Sequence, residues 1–392
     1  MAITKVKADL IDLNEPNSTK GLKMPSGGAF SGTATEGMVR NDTSQSSISS
    51  ASTMQFYNGT EWKNFSNLYV PPVGTENFSP YLYTGAGAQG YTGVGFAPDL
   101  VWIKRYDSTG SNYVFDTVRG VYKYLISETA AAQVNNSTYL TAFDSDGFTL
   151  GTNTAVSGSG NDYIAWCWKA GGATVPNNEG DIQSDVSANV AAGFSIVEYT
   201  GVAGGVGLGG QTPVGHGLSA APELVIYKQY TGSADDWYAM FQDGSQYKAM
   251  YLNYNFAGFN QTNDFTSTTI QTYRETSANL VAYCFHSVDG YQKIGIYTGT
   301  GSSGNPQNVG FAPRLVMIKG IDAQENWIVH SNVTFTGGAT GGANHLRWNT
   351  NGALDNGANE AISFTNTGFS IVTSGATQIN TSGRDYLYLA IA

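Results

Sequence analysis

Reactive and charged side chains are scarce in this chain. It has two cysteines and four histidines among 392 residues, and Asp, Glu, Lys and Arg together make up 12%, against a usual globular share of about 25%. There is no His-Glu-x-x-His and no Gly-x-Ser-x-Gly, so the signatures of zinc hydrolases and of α/β-hydrolases are missing. No apolar run is long enough for a membrane-spanning helix, and membrane insertion is not expected. The stretch from Met1 to Leu13 mixes charged with apolar residues and lacks the apolar centre of a secretory signal. Synthesis and assembly in a cytoplasm are therefore expected. No Lys/Arg cluster offsets the net charge of −11, a sign that repels phosphate backbones and argues against nucleic acid as a partner.

In place of charge the chain has 49 Gly, 24 Tyr, 18 Phe and 7 Trp, with 41% hydrophobic residues overall. Abundant Gly, Thr and aromatics suit short strands joined by tight turns, and they suit helices poorly. The expected class is all-β.

Self-similarity organises the sequence. Tyr-Thr-Gly occurs at Tyr83, Tyr199 and Tyr297. Downstream, Ala-Pro-x-Leu-Val-x-x-Lys occurs at Ala97 to Lys104 and, as Ala-Pro-x-Leu-Val followed by two residues and Lys, at Ala221 to Lys228 and Ala312 to Lys319. An aromatic follows at Tyr113, Trp237 and Trp327, and each unit closes on an apolar run: Asp162 to Trp168, Asn279 to Phe285, and Asp385 to Ile391. Three tandem repeats of about a hundred residues are expected, at 78–180, 190–288 and 290–392. Leu100 to Ile103 is apolar throughout, as in a strand buried on both faces, while Tyr113 to Val118 alternates like a half-buried one. Short strands with turn signals such as Asp146-Gly147 fit antiparallel β-sandwiches. A three-bladed arrangement sharing one core fits as well.

Residues 1–70 differ, being rich in Ser, Thr and Gly. They read as an extended N-terminal segment with one hairpin signal, in which Asn58-Gly59 between Met54–Tyr57 and Glu61-Trp62 favours a two-residue turn. So little apolar surface supports no independent core, so an attachment or oligomerisation role is expected. Ser66 to Thr75, with Pro71-Pro72, reads as a linker.

Candidate chemistry resolves into structure at each motif. Gly205-x-Gly207-x-x-Gly210, Gly85-x-Gly87-x-x-Gly90 and Gly299-x-Gly301-x-x-Gly304 match a dinucleotide fingerprint, but each leads into another strand instead of a helix. They read as loops, and no cofactor is expected. Cys167 and Cys284 share a repeat position with Ala390, which calls for a small core side chain and not a disulfide, metal ligand or nucleophile. His216, His286, His330 and His345 lack metal-ligand spacing. His330 and His286 read as lying at sheet edges or strand ends. Asp144-Ser145-Asp146-Gly147 has the start of a calcium loop but continues as a strand, hence a hairpin turn. Trp102, Trp166 and Trp168 read as packing residues. Tyr91, Tyr230, Tyr251 and Tyr254 are the aromatics placed on loops, where a ring face and hydroxyl would suit stacking on sugar. Catalytic, cofactor and metal sites are therefore expected to be absent, with receptor-binding residues unassigned.

The repeats resemble a module of predicted tail-fibre and uncharacterised virion proteins of marine tailed bacteriophages. The resemblance is carried by Gly95 to Arg105, Asp116 to Gly120, Ser145 to Gly151, Tyr163 to Gly172 and Val214 to Leu218. Repeat two departs most, lacking the Phe before Ala221 and the Asp-Gly-Phe turn, and repeat three has Arg314 where repeat one has Asp99. Gly37 to Asn41 and Phe56 to Trp62 are similar, more loosely, to an N-terminal segment of phage fibres. The resemblance implies a non-enzymatic virion structural protein, a tail fibre or tail-associated host-recognition protein. Residues 1–70 would join it to other virion proteins, copies would assemble as a homotrimer, and loops would contact a host-surface glycan or protein. A capsid decoration, head-fibre or baseplate role, and less so a glycan-degrading tail enzyme, are the competing expectations.

Overall fold

A computed structural model describes residues 39–42, 53–57, 62–64, 74–202, 212–262, 264–272, 277–334, 344–375 and 377–392. The chain divides into two units, Met1–Val70 and Pro71–Ala392. In the first, Val39–Asp42, Thr53–Tyr57 and Trp62–Asn64 form an antiparallel three-stranded sheet. Tyr57 pairs with Trp62, so four residues lie between the paired positions and not the two of a tight primed turn.

The second unit is built almost wholly of antiparallel strands, and each repeat has the same plan. An opening strand (Phe78–Thr84, Phe194–Thr200 or Gln292–Thr298) pairs with the closing strand (Asp162–Trp168, Asn279–Phe285 or Asp385–Ile391). The closing strand pairs on its other side with the strand of the Leu-Val motif (Leu100–Arg105, Leu224–Gln229 or Leu315–Gly320). The aromatic strand (Asn112–Asp116, Trp237–Gln242 or Ile328–Ser331) comes next. A smaller sheet covers one face. In repeat one it comprises Gln89–Thr92, Leu140–Asp144 and Gly147–Leu150; in repeat three, Asn305–Asn308, Ile362–Thr365 and Gly368–Ile371. In repeat two, which lacks the Asp-Gly-Phe hairpin, it has two described strands, Pro213–Gly215 and Thr269–Gln271.

Residues 175–189 belong with repeat two. Val175–Asn177 and Ser184–Asn189 pair in succession onto its opening strand, whereas their sequence position spans the end of repeat one and the gap after it.

The strand faces explain why the closing strands are apolar at nearly every position. Tyr163, Ala165 and Cys167 point into a core private to repeat one, against Phe148 and Leu150 of its small sheet. Repeats two and three have matching private cores. Ile164, Trp166 and Trp168 point the other way, into a cluster shared by all three repeats. That cluster includes Phe194, Trp237 and Phe285 from repeat two, and Met317, Trp327, Trp348 and Leu389 from repeat three. Trp102 stacks on Trp348 with ring centroids 4.4 Å apart. Sandwich and common core, alternatives from sequence, are therefore both present. Leu100 to Ile103 is buried throughout because one face meets each core.

The aromatic strand of repeat one differs from its sequence pattern. Asn112–Asp116 is buried along its whole length. Its polar ends do not face water. Asn112 Nδ2 donates to Thr350 O at 2.9 Å, and Asp116 Oδ2 accepts from Tyr283 at 2.7 Å, so neighbouring repeats supply the partners.

Candidate functional site

The motif lysines are the most unusual groups in the fold. Lys104, Lys228 and Lys319 have no exposed surface, and burial lowers each ammonium from the ordinary lysine value to about 8. A buried lysine shifted this far is a candidate base or nucleophile when its nitrogen is free to react. Here each ammonium is spent on backbone carbonyls. Lys228 Nζ donates to Ala130 O at 2.9 Å in repeat one and to Asp235 O. Lys319 Nζ donates to Phe256 O at 3.0 Å and Asn255 O at 3.4 Å in repeat two, and to Gly320 O at 3.0 Å. Lys104 Nζ donates to Thr350 O at 3.3 Å in repeat three and to Gly110 O.

These contacts run cyclically: repeat two reaches repeat one, three reaches two, and one reaches three. Other bonds follow the same circuit. Trp237 Nε1 donates to Ile126 O at 3.0 Å, Trp327 Nε1 to Tyr251 O at 2.9 Å, and Asn112 Nδ2 to Arg347 O at 3.3 Å. The receiving loops correspond in register, because Glu128, Asn253 and Asn349 each cap the amide of Asn112, Trp237 and Trp327 respectively.

The circuit also accounts for Arg314. Asp99 accepts from the amides of Ala170 and Gly172 at 2.7 and 3.3 Å, holding the chain as it leaves repeat one. Glu223 accepts from the Ser287 amide where the chain leaves repeat two. In repeat three the corresponding Arg314 Nη1 donates to Phe78 O, at the start of repeat one. The sign of the side chain changes with the partner, from amide to carbonyl.

The histidines are not all where the sequence suggested. His286 follows the closing strand of repeat two, as expected for a strand end. His330 is fully buried inside Ile328–Ser331, a strand paired on both sides, because the shared core and the private core cover both its faces. Its ring lies 5.7 Å from that of His345, which comes later in the same repeat. His330 Nδ1 bonds Asn344 O at 3.1 Å, and burial drives its pKa down to about 3, with His345 adding to the depression. His216 is buried between Leu218 N and Thr266 O. Among the described residues no group of three or more His, Cys, Asp or Glu is arranged to hold a metal ion.

Cys167 and Cys284 are free and buried, each in its own closing strand opposite Val101 and Val225, as Ala390 is opposite Val316. Burial raises both thiols, Cys284 to about 12. Gly85, Gly87 and Gly90 span the link from one strand to the next, with Gly87 at φ 83°; Gly299, Gly301 and Gly304 do the same in repeat three. The third match, at Gly205, Gly207 and Gly210, lies outside the described residues. Asp144 pairs with Gly147 across a two-residue hairpin, and both oxygens of Asp146 accept amides, from Gly93 at 3.0 Å and Gly95 at 2.7 Å. An open depression of about 210 Å³ at repeats two and three contains Asp243, Lys248 and Asp385. Two of its carboxylates serve the fold: Asp385 accepts from Thr298 Oγ1 at 2.6 Å, and Asp243 caps Ser245 and Gln246.

Of the four tyrosines considered for sugar contact, Tyr91 lies in a strand and is buried, and Tyr230 is buried with its hydroxyl on Glu198. Tyr251 ends a strand and is half-buried. Tyr254 alone is well exposed, at 41%, and it is joined by Phe256, at 43%, which the sequence reading passed over.

The fold and these contacts define a class: a closed three-repeat β protein whose buried ionisable groups tie repeat to repeat. The chain belongs to the family described as Domain of unknown function (DUF7483), whose model matches residues 74–392. That span takes in all three repeats as one unit. No curated protein and no solved structure matches the chain.

Proposed function

We propose that this chain is a non-enzymatic structural and attachment protein of a tailed-bacteriophage particle, a tail-fibre or tail-associated protein. Residues 1–70 serve as its link to other virion proteins, and exposed loops of the three repeats meet a host-surface glycan or protein. One observation carries the non-enzymatic part: the three buried lysines whose lowered values would suit a base or nucleophile, Lys104, Lys228 and Lys319, are each committed to carbonyls of another repeat. A protein that spends its polarised groups on closing its own body is built to persist and to display loops. The module resemblance in Gly95 to Arg105 and Ser145 to Gly151 supports the virion setting.

Self-assembly as a homotrimer belongs to the same proposal. The inward sheet faces are already covered within one chain, so copies would join through residues 1–70 or outer surfaces. Light scattering of the full chain at micromolar concentration should give three times the chain mass, and a stable monomer would exclude the trimer.

Gold-labelled antibody on intact particles tests the location. Label on the tail supports the reading, and label over the capsid shell replaces it with a decoration or head-fibre role. Particles without the chain overturn it. Deleting residues 1–65 should leave the repeats folded and unable to join particles.

A further inference from the structure

We propose that Tyr254 and Phe256 form a stacking site for an uncharged saccharide, a reading that deepens the attachment role by naming the ligand class and the residues. The two rings stack on each other, with centroids 5.0 Å apart and planes 14° apart. Tyr251 stands edge-on beneath both, at 5.8 and 6.0 Å. Large aromatic surface left in water at two adjacent side chains is costly unless a ligand covers it.

The sister loops show that the fold does not require this pair. The loop after the capping residue reads Thr129-Ala130-Ala131 in repeat one, Tyr254-Asn255-Phe256 in repeat two and Thr350-Asn351-Gly352 in repeat three. All three take the same place in the circuit, each following the residue that caps the aromatic strand of its own repeat and receiving the motif lysine of another. Two of them do so with no aromatic ring.

The loop is held rigidly from below. Asn253 Nδ2 donates to Asp236 at 2.8 Å, Lys319 Nζ holds Asn255 O and Phe256 O, and the Gly258 amide donates to Ile321 O at 2.7 Å. A ring pair fixed before binding loses little conformational entropy on binding. The ligand class follows from the surroundings. Leu252 to Thr262 contains no charged residue, and its polar residues, among them Asn255 between the two rings in sequence, are neutral. The ammonium that touches the loop, that of Lys319, is buried and bonded to carbonyls. Aromatic faces that take up C–H-rich ring surface, beside neutral polar groups, therefore suit a neutral sugar better than a phosphate or carboxylate.

The test compares the full chain with a Tyr254→Thr/Phe256→Ala variant, which copies repeat one, on an array of neutral gluco-, galacto- and manno-configured oligosaccharides. Equal thermal midpoints should confirm that the variant is folded. The expected result is binding of at least one neutral glycan, competed by its free methyl glycoside, and a loss of tenfold or more in the variant. Equal binding by both proteins would remove the site from this loop while leaving attachment through glycan intact. No binding of any neutral glycan would overturn the ligand class. If sedimentation shows that the variant dissociates an assembly of the wild type, the rings are a contact between copies and the proposal fails.

Discussion

Arg314 Nη1 donates a 2.7 Å hydrogen bond to the carbonyl oxygen of Phe78, joining the last repeat to the first. The positions that correspond to Arg314 are Asp99 and Glu223, which accept amides of the onward chain. Chain connectivity thus sets the charge at one equivalent position of three. Where the polypeptide continues, an acceptor receives its N–H groups. Where repeat three meets repeat one, a donor takes its place.

The Arg314 contact should therefore punish the residue that repeat one uses. Arg314→Met removes a charge-assisted hydrogen bond and is expected to cost about 1–3 kcal/mol. Arg314→Asp should cost more, since it sets a carboxylate against a carbonyl. Urea midpoints of the two variants check the order, and hydrogen exchange should rise first along Phe78–Thr84.

Alkaline pH should stabilise the protein over a defined window. Each motif lysine has a folded value near 8 against an ordinary 10.5, lowered by burial. Below pH 8 both folded and unfolded states carry the proton. Between 8 and 10.5 the unfolded state binds more protons, so stability rises with pH, by roughly 1–2 kcal/mol per lysine by pH 9.5. Above about pH 10 the gain reverses: tyrosines 83, 227, 283 and 297 are raised well above the ordinary value by burial, so their ionisation favours the unfolded chain. Urea unfolding at pH 7, 8, 9 and 9.5 should show the rise. Lys228→Met should flatten its share of the slope.

Acid should act through His330. Its folded value, about 3, lies below the ordinary 6.5. The neutral ring's stabilising share is present above pH 6.5 and lost as pH falls toward 3, at about 1.4 kcal/mol per pH unit. Asp99 and Glu325, both raised by burial, bind protons sooner in the folded state and oppose the loss near their own range. The unfolding midpoint should fall between pH 6.5 and 5, and less steeply in His330→Gln. Equal slopes in the two proteins would exclude His330 as the source.

Residues 74–392 should unfold in one cooperative step. The shared cluster draws buried side chains from all three repeats, so no repeat keeps its inward face covered without the others. Trp348→Ala, which removes the ring stacked on Trp102, is expected to cost about 3–5 kcal/mol and to lower a single calorimetric transition. Three separate transitions, or a shift confined to one of three, would refute the shared core.

The repeat plan was legible in the chain because it is written locally. Asp162 to Trp168, Asn279 to Phe285 and Asp385 to Ile391 are strands over the same residues that the apolar runs mark. Cys167, Cys284 and Ala390 share one small-residue place in the cores because repeat alignment already put them there. The lysine ending each Leu-Val strand was visible as a marker, but its role was not. A charge at the end of an apolar run reads as the strand's exit into water unless the partner from another repeat is known. The same gap hid the burial of Asn112 and Asp116.

Short-range patterning, with periods of two along strands and about a hundred along the chain, determined by itself the all-β class, the strand set and the threefold copying. Tertiary structure alone decided that the second face of every main sheet is covered by the other repeats, and that the circuit closes from Arg314 to Phe78. The physical reason is that an apolar side chain specifies that it must leave water, and leaves the identity of its neighbour open. Directional donors and acceptors brought together from distant segments choose that neighbour, and only the folded chain assembles them.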